Sequence, residues 1–523
     1  MKKISIILFL MAVVVFGADK QTDGWKIHGR LNAYIQSIDV QGESNSTKEG
    51  TTHVEELSLN ASGALKDGKA GVEMRVRTTN SNSVQKDGAE LLYIHSYFKN
   101  KIWRLEAGDV AASMNPYIFG GSLKGIKAKY KSLKREKSWD YTFIAGFKKS
   151  SWREVFKDVE NETPTAYSGA FEARYIHARA KEVAISVASY KDDLSTGDEN
   201  SSVLGKKGIG FGVDGKWRFS RYATLKARVA LTNGSDDIKN DKPSKTHSAI
   251  YIKLLTRPVL KSVRSSFTYQ RVAAEFISFG GSGAKDKEQI ENSTSWRINK
   301  KFRANLSLKA NRDNLNGALG DTRHIYYEMV RLSYRPDFLK RGDINFKFSN
   351  KDTRGRGADN NRQIAGVNFT LRKKNGWRYG GGFEYNDYDD DNSTSSSSTT
   401  TIYRALVGYK HKISKTKSYR ITVRTNYQNI HGNQNKIGFK VDASYTHNRH
   451  LSMDLSYNIN DTDYENSNDT RNSTYQFRTT YKIDTKGAKV VRLLLEKRDV
   501  DTQNNSANSY NEYRGKLSFV VNF

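Results

Sequence analysis

Cysteine is absent from this 523-residue chain, and proline occurs only 5 times. The absence of cysteine excludes disulfides, thiolate metal sites and covalently attached haem. Proline removes a hydrogen bond from a β-ladder, so its scarcity favours long paired strands. Long apolar runs are scarce as well, because Ile4 to Phe16 is the one such run in the sequence. No other segment resembles a membrane helix.

The first residues have the layout of an export signal. Lys2 and Lys3 form a positive region, the apolar run follows, and Gly17 and Ala18 supply small residues at the cleavage position. This order predicts a secretory signal peptide over residues 1–18 and a mature chain over 19–523. A membrane anchor helix is the alternative, but the apolar run is short for a span of roughly 20 residues.

The dominant pattern from Trp25 onward is alternation. Mean hydropathy is -0.72, yet barrel strands place apolar residues at every second position, where averaged hydropathy does not register them. The stretch from Ile437 to Tyr445 shows this pattern over about ten residues, which is longer than soluble strands and matches a tilted bilayer crossing. The sequence therefore predicts an all-β fold, a transmembrane antiparallel up-and-down β-barrel forming a single domain.

The connections between the alternating stretches predict the topology. We place about 26 strands (range 22–26), including one over 263–278. Short turns such as 373–376 alternate with long connections such as 386–399 and 460–472. This asymmetry predicts short periplasmic turns, long external loops and, with an even strand count, two periplasmic termini. Few residues separate the cleavage position from the first strand, so no plug domain is expected.

The end of the chain carries a family resemblance. Phe519, Val521 and Phe523 are the outward residues of a final strand that closes on an aromatic residue, and its inward residues include Lys516, Ser518 and Asn522. This strand resembles the C-terminal insertion signal of bacterial outer-membrane porins. The resemblance implies a Gram-negative outer membrane, contact with outer-membrane lipid and recognition by a barrel-assembly machinery.

The formal net charge of +30 is unevenly distributed. Lysine and arginine concentrate around the short turns, as at Lys300 and Lys373, whereas the long loops are acidic, most clearly over Asp387–Asp391. One interpretation is attraction to lipid headgroups together with solubility. The other is recruitment of an anionic solute or an anionic periplasmic partner. A nucleic-acid partner is not indicated, because the cations are spread along a barrel.

Basic residues also occupy positions whose alternation points them into the lumen. Inward acids are fewer, and a lumen charged with one sign tunes ion selectivity. A hydrated wall of mixed charge is the alternative. The candidate anion-binding residues are Arg75, Arg77, Lys216, Arg218, Lys226, Arg228, Lys347, Arg420, Arg424, Lys440, Arg478 and Arg514.

The third long loop is unusually apolar for a surface loop. Its proline, aromatic and paired glycine residues are similar to the constriction loop of general porins, and a rim loop packed on its neighbours is the alternative. The candidate constriction residues are Pro116, Tyr117, Phe119, Gly120 and Gly121. Trp152, Val155, Phe156 and Val159 show helical spacing, which predicts a short amphipathic helix against the rim.

No residue set indicates catalysis, a cofactor or a metal site. His447 and His450 share one turn without further spaced ligands, and Asp387–Asp391 is expected to be a hydrated loop rather than a calcium site. The sequence therefore predicts a non-enzymatic, porin-like channel that passes small or oligomeric, anionic solutes. The alternative function is a structural sleeve that encloses or docks a secretion or electron-transfer partner.

Overall fold

The computed structural model describes residues 25–523 apart from 43–48, 82–88, 135, 150–151, 153–154, 156–163, 179–180, 197–203, 258–261, 279–284, 318–319, 340, 356–357, 392–396, 432–433, 466–468, 485–487 and 504–508. The predicted signal peptide and most of the predicted amphipathic helix lie outside the described residues.

The described residues form one antiparallel sheet of 26 strands. A short 3-10 helix at Leu194–Thr196 follows the ninth strand. The strands are β1 Trp25–Gly42, β2 Gly50–Leu65, β3 Gly68–Thr79, β4 Ala89–Lys99, β5 Trp103–Ser113, β6 Gly120–Tyr130, β7 Ser138–Lys148, β8 Thr165–Ala178, β9 Lys181–Asp193, β10 Lys207–Arg218, β11 Ala223–Ser235, β12 Lys245–Thr256, β13 Val263–Val272, β14 Lys287–Arg297, β15 Phe302–Arg312, β16 His324–Tyr334, β17 Gly342–Arg354, β18 Asn360–Arg372, β19 Trp377–Asp390, β20 Ser398–Lys412, β21 Lys417–Ile430, β22 Gln434–His447, β23 Leu451–Tyr464, β24 Thr470–Lys482, β25 Lys489–Thr502 and β26 Tyr510–Asn522.

The sheet closes on itself. Each strand pairs with its neighbours in sequence, and β1 pairs with both β2 and β26. The predicted up-and-down barrel of 26 strands is therefore confirmed. We call its two rims the short-turn end, where β1 begins and β26 ends, and the long-loop end.

The outer face of the barrel is apolar. Ile437 and Phe439 on β22 are exposed, whereas Lys440 and Asp442 lie on the opposite face of the sheet. Outward aromatic rings contact one another along the short-turn end, with ring centroids 5.1 Å apart for Trp103 and Tyr130. An apolar band bordered by an aromatic girdle is the exterior that a barrel presents to lipid. Within the described residues, no helix is both long and apolar enough to cross a membrane.

Several strand boundaries differ from the sequence predictions. The strands run into the long connections: β19 ends at Asp390 and β20 begins at Ser398, inside the loop predicted over 386–399. Cross-strand bonds between polar side chains explain this extension, since Thr399 Oγ1 donates to Asp387 Oδ1 at 2.8 Å. Conversely, β13 ends at Val272, because the chain beyond it turns into the barrel and buries Phe276 completely.

Candidate functional site

The hairpin formed by the ends of β5 and β6 leaves the barrel wall. Residues 109–124 make up this inner hairpin. β5 pairs with β4 only as far as Gly108, beyond which it pairs with β6 alone. Gly108 has a φ of 98°, and a Cβ there would lie 2.3 Å from the carbonyl oxygen of Ile94. Only glycine can adopt this backbone conformation and allow this close approach. The position of Gly108 in the sequence therefore determines where the hairpin leaves the barrel wall.

The root of the inner hairpin is held by Asp109. Its carboxylate accepts hydrogen bonds from Ile94 N at 2.8 Å and from Trp152 Nε1 at 2.6 Å. The same carboxylate pairs with Lys124 Nζ at 3.0 Å, and that ammonium lies 4.6 Å from the centroid of the Trp152 ring. Lys124 is buried, so removing the Asp109 carboxylate would leave a buried ammonium without its counter-charge and destabilise the root of the hairpin.

The tip of the inner hairpin is a tight turn organised by Asn115. Asn115 Oδ1 accepts a hydrogen bond from Tyr117 N at 3.0 Å, and Asn115 Nδ2 donates to the carbonyl oxygen of Val229 at 3.3 Å. Tyr117 packs edge-on against Phe276, and its burial raises the pKa of Tyr117 to about 12. The phenol therefore stays neutral at physiological pH, and the tip contributes no charge of its own.

The tip rests on a patch of the inner wall that carries only small residues. A Cβ at Gly212 would lie 2.7 Å from Asn115 Nδ2 and equally close to Ile118 Cγ1. We call this patch the seat. Its residues are Ala170, Ala188, Gly212, Ala230 and Ala249.

The seat was not predicted from the sequence. Its signal was present, since each of the strands β8 to β12 has alanine or glycine at one inward position, and these positions are neighbours across the strands. The candidate constriction residues all lie on the inner hairpin. Pro116, Tyr117 and Phe119 form its tip, and Gly120 and Gly121 begin β6. They lie along one wall of the barrel instead of crossing the lumen, because the tip contacts β10, β11 and the segment after β13.

The strand registers place the candidate anion-binding residues on the inner face, and carboxylates neutralise several of them. Each such cation forms an ion pair on the same strand or across to a nearby one. The pairs join Arg75 and Arg77 to Glu56, Lys216 to Glu182, Arg228 to Asp214, Arg424 and Lys440 to Asp442, and Arg514 to Glu496 and Glu512.

Other candidates have no such partner. Within the described ranges, no carboxylate lies at ion-pair distance from Arg218, Lys226, Lys347, Arg420 or Arg478. The inner wall is therefore of mixed charge in some regions and cationic in others.

One concentration of positive charge on this wall is a row of three lysines. Lys226 lies opposite Lys216 on one side and opposite Lys253 on the other. This lysine row lies about 13 Å along the strands from the seat, toward the short-turn end, at roughly 3.3 Å per residue. Glu182 neutralises Lys216 at 2.7 Å, which leaves Lys226 and Lys253 as the uncompensated charges. Lys253 is not among the anion-binding residues predicted from the sequence.

Chemistry beyond charge is sparse in the described chain. No group of three or more His, Asp or Glu side chains is placed there to hold a metal ion.

The terminal residues lie at the seam between β26 and β1 instead of in the lumen. Phe519 and Val521 stand opposite Ala33 and Leu31, and the backbone of Phe523 exchanges two hydrogen bonds with Gly29.

The chain matches no protein-family model and no curated protein. Solved structures do resemble it. An Escherichia coli P pilus tip assembly intermediate superposes with a TM-score of 0.51 at 9% identity, covering 96% of this chain and 62% of that one. The fold is that of an outer-membrane β-barrel.

Weaker similarities involve other outer-membrane proteins. The siderophore receptor PirA from Pseudomonas aeruginosa gives a TM-score of 0.43 at 8% identity, covering 97% of this chain and 81% of that chain. A BenF-like porin from Pseudomonas fluorescens gives 0.32 at 9% identity, covering 96% and 99%.

Proposed function

We propose that this protein is a passive channel in the outer membrane of a Gram-negative bacterium, with the short-turn end and both termini in the periplasm. The observation that supports this most is the contrast between the two faces of the sheet. The outer face is apolar, whereas the inner face carries ion pairs and uncompensated lysines. Such a wall is stable only in contact with water, and a water-filled barrel conducts.

The size of the ring supports passage of oligomeric as well as small solutes. Strands spaced by about 4.8 Å and tilted by about 40° give 26 strands a circular diameter of about 50 Å. The side chains of two opposite walls cannot fill this width. The inner hairpin lies along one wall and therefore narrows the width of the lumen from one side only.

We propose that the channel prefers anions, and only modestly. Lys226 and Lys253 raise the local concentration of anions near the wall. At 0.1 M salt the Debye length is about 10 Å, so charges on the wall are screened before the centre of so wide a lumen. The preference should therefore weaken further as the salt concentration rises.

The test is the reversal potential of the purified protein in a planar bilayer under a salt gradient. We expect weak anion selectivity, and we expect the double variant Lys226→Glu with Lys253→Glu to shift it toward cations. The matched control is Lys374→Glu with Lys415→Glu, which makes the same charge change in short turns outside the strands. A cation-selective unmodified channel at low salt would refute the assignment.

A structural sleeve is the second candidate. The diameter of about 50 Å exceeds what small solutes need, and the basic short-turn end suits an acidic periplasmic protein. A correctly folded barrel without channel activity would favour this function over the first.

A further inference from the structure

A cavity of ≈ 690 Å³ lies at the long-loop end, beside the inner hairpin. Ser122 of the inner hairpin lines one side, and Leu204, Gly205 and Lys206 line another. The volume is within the range of ordinary small-molecule sites, about 300–1,000 Å³. Lys148 and Asp192 also line the cavity, and both lie on the inward face of their strands.

Two lysines face this cavity across a gap. Lys148, Ala166, Asp192 and Lys206 stand side by side on four adjacent segments of chain. The two lysines are therefore about 14 Å apart at the backbone, at about 4.8 Å per strand. Ala166 and Asp192 stand between them. Ala166 leaves the space next to Lys148 open, whereas the Asp192 carboxylate accepts hydrogen bonds from Tyr190 and from the backbone of Lys206. The flexible side chains of the two lysines can converge on a group held over that alanine.

Both carboxylates of the cavity already accept hydrogen bonds, and Asp236 is also paired with a cation. Asp192 accepts hydrogen bonds from the Tyr190 hydroxyl at 2.6 Å and from Lys206 N at 2.7 Å. Asp236 pairs with Lys242 Nζ at 2.8 Å, a contact that lowers the pKa of Asp236. In the part of the chain that the structure describes, no carboxylate lies within ion-pair distance of the Lys148 or Lys206 ammonium.

The charge of Lys206 also acts on a nearby ammonium. Burial lowers the pKa of Lys285, and among the neighbouring charges Lys206 lowers it further whereas Asp236 raises it. Lys206 therefore repels a neighbouring cation, and an anion bound beside it would reduce that repulsion.

We propose that this cavity binds the phosphate group of a soluble solute entering from the long-loop end. Lysine ammonium groups are compact point charges that suit phosphate, and the Ser122 hydroxyl offers a further donor. The lining faces the aqueous lumen, so we assign the ligand to solution instead of to a lipid headgroup. This inference rests on the proposed channel function and names the chemical class of its solute.

The direct test is equilibrium binding of inorganic pyrophosphate to the full-length protein in detergent, measured by calorimetry. We expect saturable binding, weakened about tenfold or more in the double variant Lys148→Gln with Lys206→Gln, because each lysine supplies a charge-assisted hydrogen bond. Lys436→Gln is the control, since Lys436 is an inward lysine at the long-loop end of β22, far from the cavity in the strand order. It should bind as the unmodified protein does.

A second variant tests the site without removing either lysine. Ala166→Glu places a carboxylate between the two lysines and should abolish binding while both lysines remain. Heat-modifiable migration verifies that each variant is a folded barrel. Equal pyrophosphate affinity in all folded variants would overturn the inference. Binding of the protein to vesicles of a phosphate-bearing lipid, without binding of pyrophosphate, would overturn it as well.

Conductance recorded from the same preparations separates this inference from the function on which it rests. Anion-preferring currents without pyrophosphate binding would refute the site and leave the channel standing. Lysine-dependent binding by a protein that passes no current would refute the channel and retain the phosphate site.

Discussion

Gly212 is the residue on which the position of the inner hairpin depends most directly. Its Cα forms the floor under Asn115 and Ile118, and no Cβ fits there without moving one of them. We predict that Gly212→Leu lifts the tip off the seat while the barrel still assembles, because the strand hydrogen bonds do not involve this side chain. Single-channel recordings should then show larger fluctuations of the open current.

Gly380→Leu is the control for that substitution. Gly380 also faces inward, but on β19, where a Cβ would meet no atom closer than 3.4 Å. Its currents should be as quiet as those of the unmodified protein. Equally quiet currents from Gly212→Leu would mean that the hairpin is not held by its seat.

Phe523 and Gly29 act together at the seam between β26 and β1. The terminal ring lies so flat on Gly29 that a Cβ there would be 1.9 Å from Phe523 Cζ. We predict that Gly29→Val, Phe523→Ser and deletion of Phe523 each reduce the amount of heat-modifiable barrel in the outer membrane.

Gly515→Val is the matched change on the other strand of the seam. Gly515 faces outward as Gly29 does, but the nearest atom to a Cβ at that position is 4.0 Å away. It should assemble at normal levels. If Gly29→Val assembles equally well, the terminal ring has no packing role at the seam.

At the scale of elements, the inner hairpin is fixed at its root by the pair of Asp109 with buried Lys124. We predict that Asp109→Ala frees the hairpin, because it leaves a buried ammonium unpaired at a cost of about 3–5 kcal/mol. Limited proteolysis should then cut within 109–124 in a barrel that remains heat-modifiable.

The control removes an exposed pair instead. Asp461→Ala breaks an ion pair with Arg471 in which both side chains are solvated, and such pairs contribute about 0–1 kcal/mol. Its proteolytic pattern should not change. Protection of the hairpin in Asp109→Ala would show that the tip alone holds it.

The strands were predictable from sequence, because each is apolar on its outer face and polar on its inner face in the same way. Alternation therefore identified both their number and their phase. The seat was not predictable in this way, since Asn115 and its partner Val229 are 114 residues apart. Ion pairs such as Arg424 with Asp442 likewise depend on the register between strands, which turn geometry sets and alternation leaves open.

At the scale of the whole molecule, the connections at the two rims differ in both length and charge. This asymmetry predicts which rim faces the outside of the cell. The chain has no cysteine, so single substitutions supply unique labels. We predict that Ser397→Cys, beside β20 at the long-loop end, reacts in intact cells with a thiol reagent that cannot cross the membrane.

Ser414→Cys serves as the opposite label, because it lies in the short turn between β20 and β21. It should react only after the outer membrane is ruptured. The reverse labelling pattern would invert the proposed orientation.

The closed order of strands also sets the order in which the protein can fold. Every pairing joins neighbours in sequence except that of β1 with β26, whose partners are 468 (Gly42 and Tyr510) to 492 (Arg30 and Asn522) residues apart. The entropy of closing such a loop costs about 5.5 kcal/mol, against about 2 kcal/mol for a ten-residue hairpin. Hairpins therefore form first and the ring closes last.

Until it closes, the ring exposes two unpaired strand edges, which are templates for pairing with another chain. A chain arrested before β26 would hold nearly all of its native contacts and still be prone to aggregate.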